Sequence, residues 1–546
     1  MELLVPVVIA SLIDKGISVG NKTYAWQMGG LLLLFAVLGL IFAITAQYFA
    51  AYAAVGSAKR IRRDLFIHIQ GFSYSTLDSL GSSTLITRMT SDVNQVQSGI
   101  NLTLRLLLRS PFIVFGSLIA AFILDVKTAI VFSISIPLLA LAVFAVTYFT
   151  IPLYKKVQAK LDVVLNSVKN GLTGVRVIRA FGREKDELNE FREKNSSLTA
   201  DQNKVGKISA ILNPLTYLIV NLAIVLIIKI GGDRIYKGEM SQGKLVALYG
   251  YMSQILIELI KLANLIINIS KTVACTRRIQ AIFDIPEEDT APVKCEDKGK
   301  AFLQFDNVSL KYENASANAV ENLSFEINEG ETLGIIGGTG SGKTTVLNMI
   351  PLFYHPTEGK IFLDETNVLS LSKDELRARI AIVPQKATLV KGSIRENLKW
   401  GNERATDEEL WQALEYAQCK EFVENKQGGL DYQITQNGTN LSGGQRQRLT
   451  IARALVKRPE ILILDDSSSA LDYATDAKLR KALKNLPFNP TIVISSQRTN
   501  AVMHSDKILV LDDGKQVGLG THDELIKNCK VYQNIYESQF KRMGNS

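Results

Sequence analysis

The chain has 546 residues, 47% of them hydrophobic and 21% charged, with a formal net charge of +9. That length is enough for about three or four domains, and a mean hydropathy of +0.12 is high for a soluble protein carrying this much charge. Its four cysteines (Cys275, Cys295, Cys419, Cys529) are scattered with no CxxC pair, so they point to neither a zinc site nor a disulfide framework.

The averages hide two halves. Residues 1–270 carry long apolar runs, whereas residues 300–546 read as a soluble α/β domain. The basic excess crowds between the apolar runs. No basic stripe with interleaved aromatics accompanies it, so no nucleic acid is expected as a partner. Positively charged loops facing the cytoplasm account for it better.

Residues 1–13 (MELLVPVVIASLI) are apolar but shorter than the ~20 residues a spanning helix needs. A signal peptide fits poorly, because Glu2 stands where a basic region belongs and no A-x-A site follows. The stretch is expected to be the back half of a first transmembrane helix, with the chain truncated upstream of it. Further spans are expected at residues 28–55, 108–124, 128–151, 209–229 and 244–269. Loops 14–27, 125–127 and 231–242 are short. Loops 56–107 and 152–208 are long, helical in pattern and rich in Lys and Arg, including Arg60, Arg62, Arg63, Lys155, Lys156, Arg176, Arg179 and Arg183. The positive-inside rule places these long loops in the cytoplasm.

Polar residues inside spans are costly, about 2.5–3.5 kcal/mol each at the bilayer centre. Glu258 and Lys261 stand three apart in the last span, on one helix face, with Gln254, Asn264 and Asn268 nearby and Asn213 and Asn221 in the preceding span. They form either a polar translocation pathway or an internal ion pair with inter-helix hydrogen bonds.

Residues 291–300 read as a polar linker. Strands are expected at 302–310 and 323–329. A strand-like run, Thr332–Ile336, then leads into Gly337-Gly338-Thr339-Gly340-Ser341-Gly342-Lys343-Thr344 and an apolar helix beginning around Thr345. This is GxxxxGK[ST] in its confirming strand–loop–helix context. Backbone N–H groups of such a loop cradle phosphates, Lys343 reaches the β/γ oxygens, and the Thr344 hydroxyl coordinates Mg²⁺. Residues 393–430 read as a helical subdomain. The run Leu441–Asp472 follows, opening with Leu441-Ser442-Gly443-Gly444-Gln445. A helix start with two glycines and a serine presents N–H groups and a hydroxyl suited to phosphate. Ile461–Leu464 is a buried-strand run ending in Asp465, a carboxylate able to hold Mg²⁺. Ser469-Ala470-Leu471-Asp472 is a turn before the next helix.

The phosphate loop followed by LSGGQ resembles the ATP-binding-cassette (ABC) transporter family, and nearly the whole chain resembles an exporter-type half-transporter. The resemblance implies a fold: an all-α transmembrane domain of six helices, the first truncated, followed by an α/β P-loop NTPase domain. The expected boundaries are 1–285 for the membrane domain, 286–300 for a linker, 301–540 for the nucleotide domain and 541–546 for a tail. It implies short transverse coupling helices in the long loops, at Ser82–Val93 and Gly171–Glu184. It implies that Tyr312 stacks on adenine, that Thr345 joins the nucleotide contacts, and that Gln385 touches Mg²⁺ or the attacking water. Ser442, Gly443, Gly444 and Gln445 would complete the ATP site of a second chain. The expected cofactors are ATP and Mg²⁺, and the expected location is the cell membrane, with the nucleotide domain in the cytoplasm.

Three positions depart from the family pattern. Asp466 stands where a hydrolytic site carries Glu, Gln497 stands where it carries a switch His, and Gln436 replaces an acidic residue before the signature. Asp is a methylene shorter than Glu, and a misplacement on the order of 1 Å can cost about 10²-fold in rate. Gln can still donate a hydrogen bond but lacks the basic ring of His. This pattern resembles the degenerate-site subunit of heterodimeric bacterial multidrug exporters. The implied partner is a second half-transporter carrying the catalytic Glu and switch His, and the implied cargo is a small amphipathic compound. A lipid or peptide exporter, an ATP-gated or sensory membrane protein, and a homodimeric exporter remain the alternatives.

Overall fold

A computed structural model of the chain describes residues 1–288, 298–313 and 315–540, and these divide into two units. The first unit comprises Met1–Gln70 and Ser83–Pro286; the second comprises Gly71–Ser82 and the chain from Glu287 onward. Most of the expected linker and the whole 541–546 tail lie outside the described residues, as does Cys295.

The first unit is helical throughout. Val5–Ser11 forms a short helix that widens into a π turn over Leu12–Ile17. Among the described residues, five helical runs are long and apolar enough to cross a membrane: Lys22–Gln70, Ser82–Leu124, Val126–Thr173, Glu184–Tyr236 and Gln242–Phe283. Each contains one expected span, but the helices run well beyond it, because the basic segments that flank the spans are also good helix formers. Asp125 separates two of these runs by a single residue. Its extended backbone (φ −166°) ends one helix, and its side chain accepts from Thr128 N (2.9 Å) to start the next. The core of the unit gathers Phe132, Leu139, Ile227, Leu248, Tyr251, Met252 and Ile255, all almost fully buried. The most apolar window of Lys22–Gln70 has no buried residue, so its Leu33, Phe42 and Phe49 face outward, as lipid contact requires.

Glu258 is buried. Lys261 Nζ donates to its Oε1 (2.7 Å) and Ser110 Oγ to its Oε2 (2.6 Å). Of the two roles open in the sequence, this geometry supports the internal ion pair, since both carboxylate oxygens are already engaged.

The expected first transverse helix is displaced in sequence. Ser82–Thr87 does not stand apart; it continues through a π segment, Arg88–Asp92, into Val93–Leu106. The separate short helix is Tyr74–Leu80. Ser73 caps it, accepting from Thr76 N (3.2 Å), and Gly81 ends it at φ +71°. This segment belongs to the second unit. There Tyr74 stacks on Phe353 with ring centroids 4.0 Å apart, the Tyr354 hydroxyl donates to Asp78, and Glu288 N donates to Gly71 O (2.7 Å). The other expected transverse helix is present as Val175–Ala180, isolated by Gly174 before it and by Gly182 (φ +62°) after it.

The second unit is built on a sheet. Its strands are β1 (Leu303–Leu310), β2 (Val320–Ile327), β3 (Thr332–Gly337), β4 (Glu358–Leu363), β5 (Thr366–Asn367) and β6 (Ile380–Val383). They continue as β7 (Gly392–Ser393), β8 (Gln433–Ile434), β9 (Ile461–Asp465), β10 (Thr491–Ser496), β11 (Lys507–Asp512) and β12 (Lys515–Gly520). Ten strands form one sheet in the order β5-β4-β1-β2-β12-β11-β3-β10-β9-β6; β7 and β8 pair separately. The strands β11, β3, β10, β9 and β6 are mutually parallel. Their continuous apolar runs are buried on both faces, as parallel strands demand. The expected helical subdomain appears as Ile394–Lys399, Asp407–Tyr416 and Lys420–Glu424. Capping boxes at Ser393/Glu396 and Thr406/Glu409 start the first two.

Candidate active site

The site grows from the carboxyl ends of the parallel strands, the edge where open α/β sheets bind ligands. Strand β3 ends in Gly337, and the loop to the helix Lys343–Met349 follows. Two glycines make that loop possible. Gly340 and Gly342 sit at φ +81° and +94°, and a Cβ on Gly342 would lie 2.5 Å from Val320 Cγ1. Lys343 Nζ donates back to Gly337 O (2.9 Å) and Gly338 O (2.6 Å), so its ammonium lies over the loop it follows. Burial lowers the Lys343 pKa, and the Asp466 and Asp465 carboxylates oppose that shift.

Strands β9 and β10 deliver the rest. In their parallel register Ser495 lies beside Asp465. Ser495 Oγ donates to Asp465 Oδ1 (2.5 Å) and the Thr344 hydroxyl donates to Asp465 Oδ2 (3.0 Å). Asp466 follows in the left-handed region (φ +41°) and is fixed by its N–H, which donates to Ser495 O (3.0 Å). The Asp466 carboxylate is only loosely held. Ser496 Oγ is 3.4 Å from Oδ1 and Gln385 Nε2 is 3.5 Å from Oδ2, both at the outer limit of hydrogen bonding. Burial raises the Asp466 pKa above the usual carboxylate range, the Ser496 hydrogen bond opposes this, and the neighbouring Asp465 charge adds to it.

A cleft of about 390 Å³ brings these groups together. Its walls include Tyr312, Thr339–Thr345, Gln385, Asp465, Asp466 and Gln497. Tyr312 is tied to the loop helix by a 3.1 Å hydrogen bond between its hydroxyl and Thr345 Oγ1, and Tyr354 packs its ring edge-on at 5.0 Å. The residues expected to serve this chain's own nucleotide line this cleft, apart from Gly337 and Gly338, which are not among its walls and whose carbonyls accept from Lys343 Nζ. The signature residues do not line it. Ser442 accepts from Gln445 N (3.3 Å) and the Gln445 side chain accepts from Ser442 N (3.0 Å), a capping box that starts the helix Gly443–Val456 away from the cleft walls. Gln436 opens a short 3₁₀ turn, also away from the cleft walls.

Sequence reasoning passed over Ser495 and Ser496 as binding partners. Their signal was present, since the last residues of adjacent parallel strands must meet at one edge. It also passed over Tyr354 and Asp78, whose meeting depends on a separation of 276 residues that no local pattern encodes.

Two family models match the chain: ABC transporter transmembrane region over residues 1–259 and ABC transporter over residues 320–469. The uncharacterized ABC transporter ATP-binding protein YfiB of Bacillus subtilis (strain 168) is 35% identical over 545 residues, covering 100% of this chain and 95% of that protein. The chain belongs to the ABC transporter family. Another similar member, Rv1273c of Mycobacterium tuberculosis, is 32% identical over 98% of this chain and 93% of its own length. A solved bacterial Atm1-family ABC exporter with ATP bound shares the fold, with a TM-score of 0.82 at 21% identity over 99% of this chain and 96% of that one.

This ABC transporter carries a helical membrane domain followed by an ATP-binding domain, and it shares the fold of a solved ABC exporter. It is a multi-pass membrane protein whose nucleotide domain is cytoplasmic. The donor set fits ATP with Mg²⁺. Thr344, Asp465 and Gln385 offer the hard oxygen donors Mg²⁺ prefers, with few enough carboxylates to leave positions for phosphates and water. When bound, that ion would neutralise charge building on the phosphates. The chain's own residues would do the rest: the loop N–H groups and Lys343 would grip the phosphates, and Asp466, Gln497 and Gln385 line the cleft as candidates to orient a water.

Proposed function

We propose that this chain is the degenerate-site half of a heterodimeric ABC exporter for small amphipathic compounds, a multidrug-type efflux pump. One observation carries the reading. A cleft with an intact phosphate loop and an aromatic wall holds a short, loosely held Asp466 and a neutral Gln497 where catalysis requires a well-placed base and a histidine. Such a site retains ATP and turns it over slowly. The partner supplies the catalytic Glu and switch His to a second site, which this chain completes with Ser442, Gly444 and Gln445. ATP binding closes the two cassettes, the Tyr74–Leu80 and Val175–Ala180 helices carry that motion to the membrane helices, and hydrolysis at the second site resets the cycle. Similar chains coexist in one bacterium: YfiB and YfiC of Bacillus subtilis are 35% and 32% identical to this chain.

The test is an asymmetry. The chain would be reconstituted in lipid with its candidate partner, and ATPase measured for Lys343→Ala and Ser442→Ala, both made in this chain. The heterodimer reading expects Ser442→Ala to abolish most activity and Lys343→Ala to leave a substantial fraction. Equal losses, together with exporter-like ATPase from this chain alone, would establish a homodimer instead.

A further inference from the structure

The last described helix, Lys530–Phe540, brings one side chain against the turn that carries Gln497. Gln539 Nε2 donates to Gln497 O (2.8 Å), and Gln539 Oε1 accepts from Thr499 N (2.9 Å). The two bonds fix the amide's orientation, because Thr499 N can only donate and Gln497 O can only accept. One side chain thus bridges both flanks of the turn Gln497-Arg498-Thr499. Thr499 N is the first donor of the short helix Thr499–Val502, a group with no partner inside that helix. Other bonds around this turn run from Arg498 N to Ser496 Oγ (3.0 Å), from Ala501 N to Arg498 O (3.1 Å), from Arg480 to Asn500 O, and from Asn500 Nδ2 to the Tyr473 hydroxyl (2.9 Å), but none of them bridges Gln497 and Thr499. Gln497, the residue between the clamped groups, lines the nucleotide cleft beside Asp466.

We infer that Gln539 is a positioning residue: by clamping the backbone on both sides of Gln497, it fixes the height at which the Gln497 side chain stands in the ATP cleft. This rests on the reading above that Gln497 stands at the switch-histidine position of the ATP cleft, and it takes that side chain to face the terminal phosphate. The C-terminal helix is then part of the nucleotide site, acting through backbone rather than through contact with ATP. A neutral amide suits the task where a carboxylate does not, because Glu at this position keeps the acceptor for Thr499 N but sets a negative oxygen against Gln497 O.

The test compares ATP and ADP binding to the full chain in lipid, with Mg²⁺, for the wild type, Gln539→Leu, Gln539→Glu and Gln497→Ala. A net hydrogen bond is worth enough to change affinity by about two- to tenfold. Gln539→Leu and Gln539→Glu are expected to weaken ATP by that factor while ADP stays within about twofold. Gln497→Ala is expected to shift the ATP/ADP ratio in the same direction. Parallel losses for ATP and ADP with a lowered Tm would make Gln539 a structural contact and overturn the inference. A ratio changed by Gln497→Ala but untouched by both Gln539 variants would overturn it while sparing the reading of Gln497. A change in the Gln539 variants without one in Gln497→Ala would overturn it as well, since Gln497 would not be what the clamp controls. No change in any variant overturns both.

Discussion

Asp466→Glu should raise the rate at which this chain's own cleft hydrolyses ATP. The Asp466 backbone is anchored by its N–H to Ser495, while its carboxylate has only two long contacts, 3.4 Å to Ser496 and 3.5 Å to Gln385. A longer side chain therefore has no strong bond to break as it advances into the cleft. One methylene extends the carboxylate by roughly 1 Å, and a misplacement of about that size is worth about 10²-fold in rate. If reach is the main defect, the gain approaches that factor; if Gln497 also limits the reaction, Asp466→Glu alone gives less and Asp466→Glu with Gln497→His recovers the remainder. The assay is phosphate release from proteoliposomes holding this chain and a partner whose own catalytic Glu has been replaced by Gln. That background silences the second site, so the residual rate reports this chain's cleft. A rate unchanged within twofold, or lowered, in both the single and the double variant would refute the argument from reach.

Other outcomes follow from the same geometry. Tyr312→Ala should weaken ATP binding by roughly two- to tenfold, with Tyr312→Phe close to wild type, because the ring stacks and the hydroxyl only braces Thr345; titration with a fluorescent ATP analogue reads this. Asp466→Asn should raise the unfolding midpoint of the nucleotide-free chain at pH 7.5, with the difference shrinking toward pH 4. The sign follows from burial. The folded-state pKa is raised, so the native state binds the proton more tightly, stability falls as pH rises from the unfolded value through the folded one, and the amide escapes that loss. Glu288→Ala should destabilise the nucleotide unit by about 3–5 kcal/mol, since it removes a buried carboxylate facing Lys373 (3.0 Å) and Arg377 (3.2 Å). Denaturant unfolding measures that loss, and replacing Glu288 and Lys373 together by Met should restore much of it.

Much of this protein was legible in its residues. A phosphate loop declares itself locally, because the glycines, Lys343 and Thr344 do their work within one strand–loop–helix unit. The membrane spans are legible for the same reason: twenty apolar residues leave a helix as the only way to satisfy the backbone in lipid. The substitutions Asp466 and Gln497 are also sequence facts, needing only the chemistry of a methylene and a ring. The transverse helix was misplaced by about two to four turns because helical propensity is similar on both sides of Gly81, and the break is set by the glycine's positive φ and the Ser73 cap. Only the tertiary structure could decide what meets across long separations. It set Ser495 against Asp465 through strand register, Tyr354 against Asp78, Lys261 and Ser110 around Glu258, and Gln539 across the Gln497 turn. Local pattern specifies an element because its causes lie within a few residues; these pairings depend on how sheets and helices close over tens to hundreds of residues, and the energy that selects them belongs to packing rather than to any one segment.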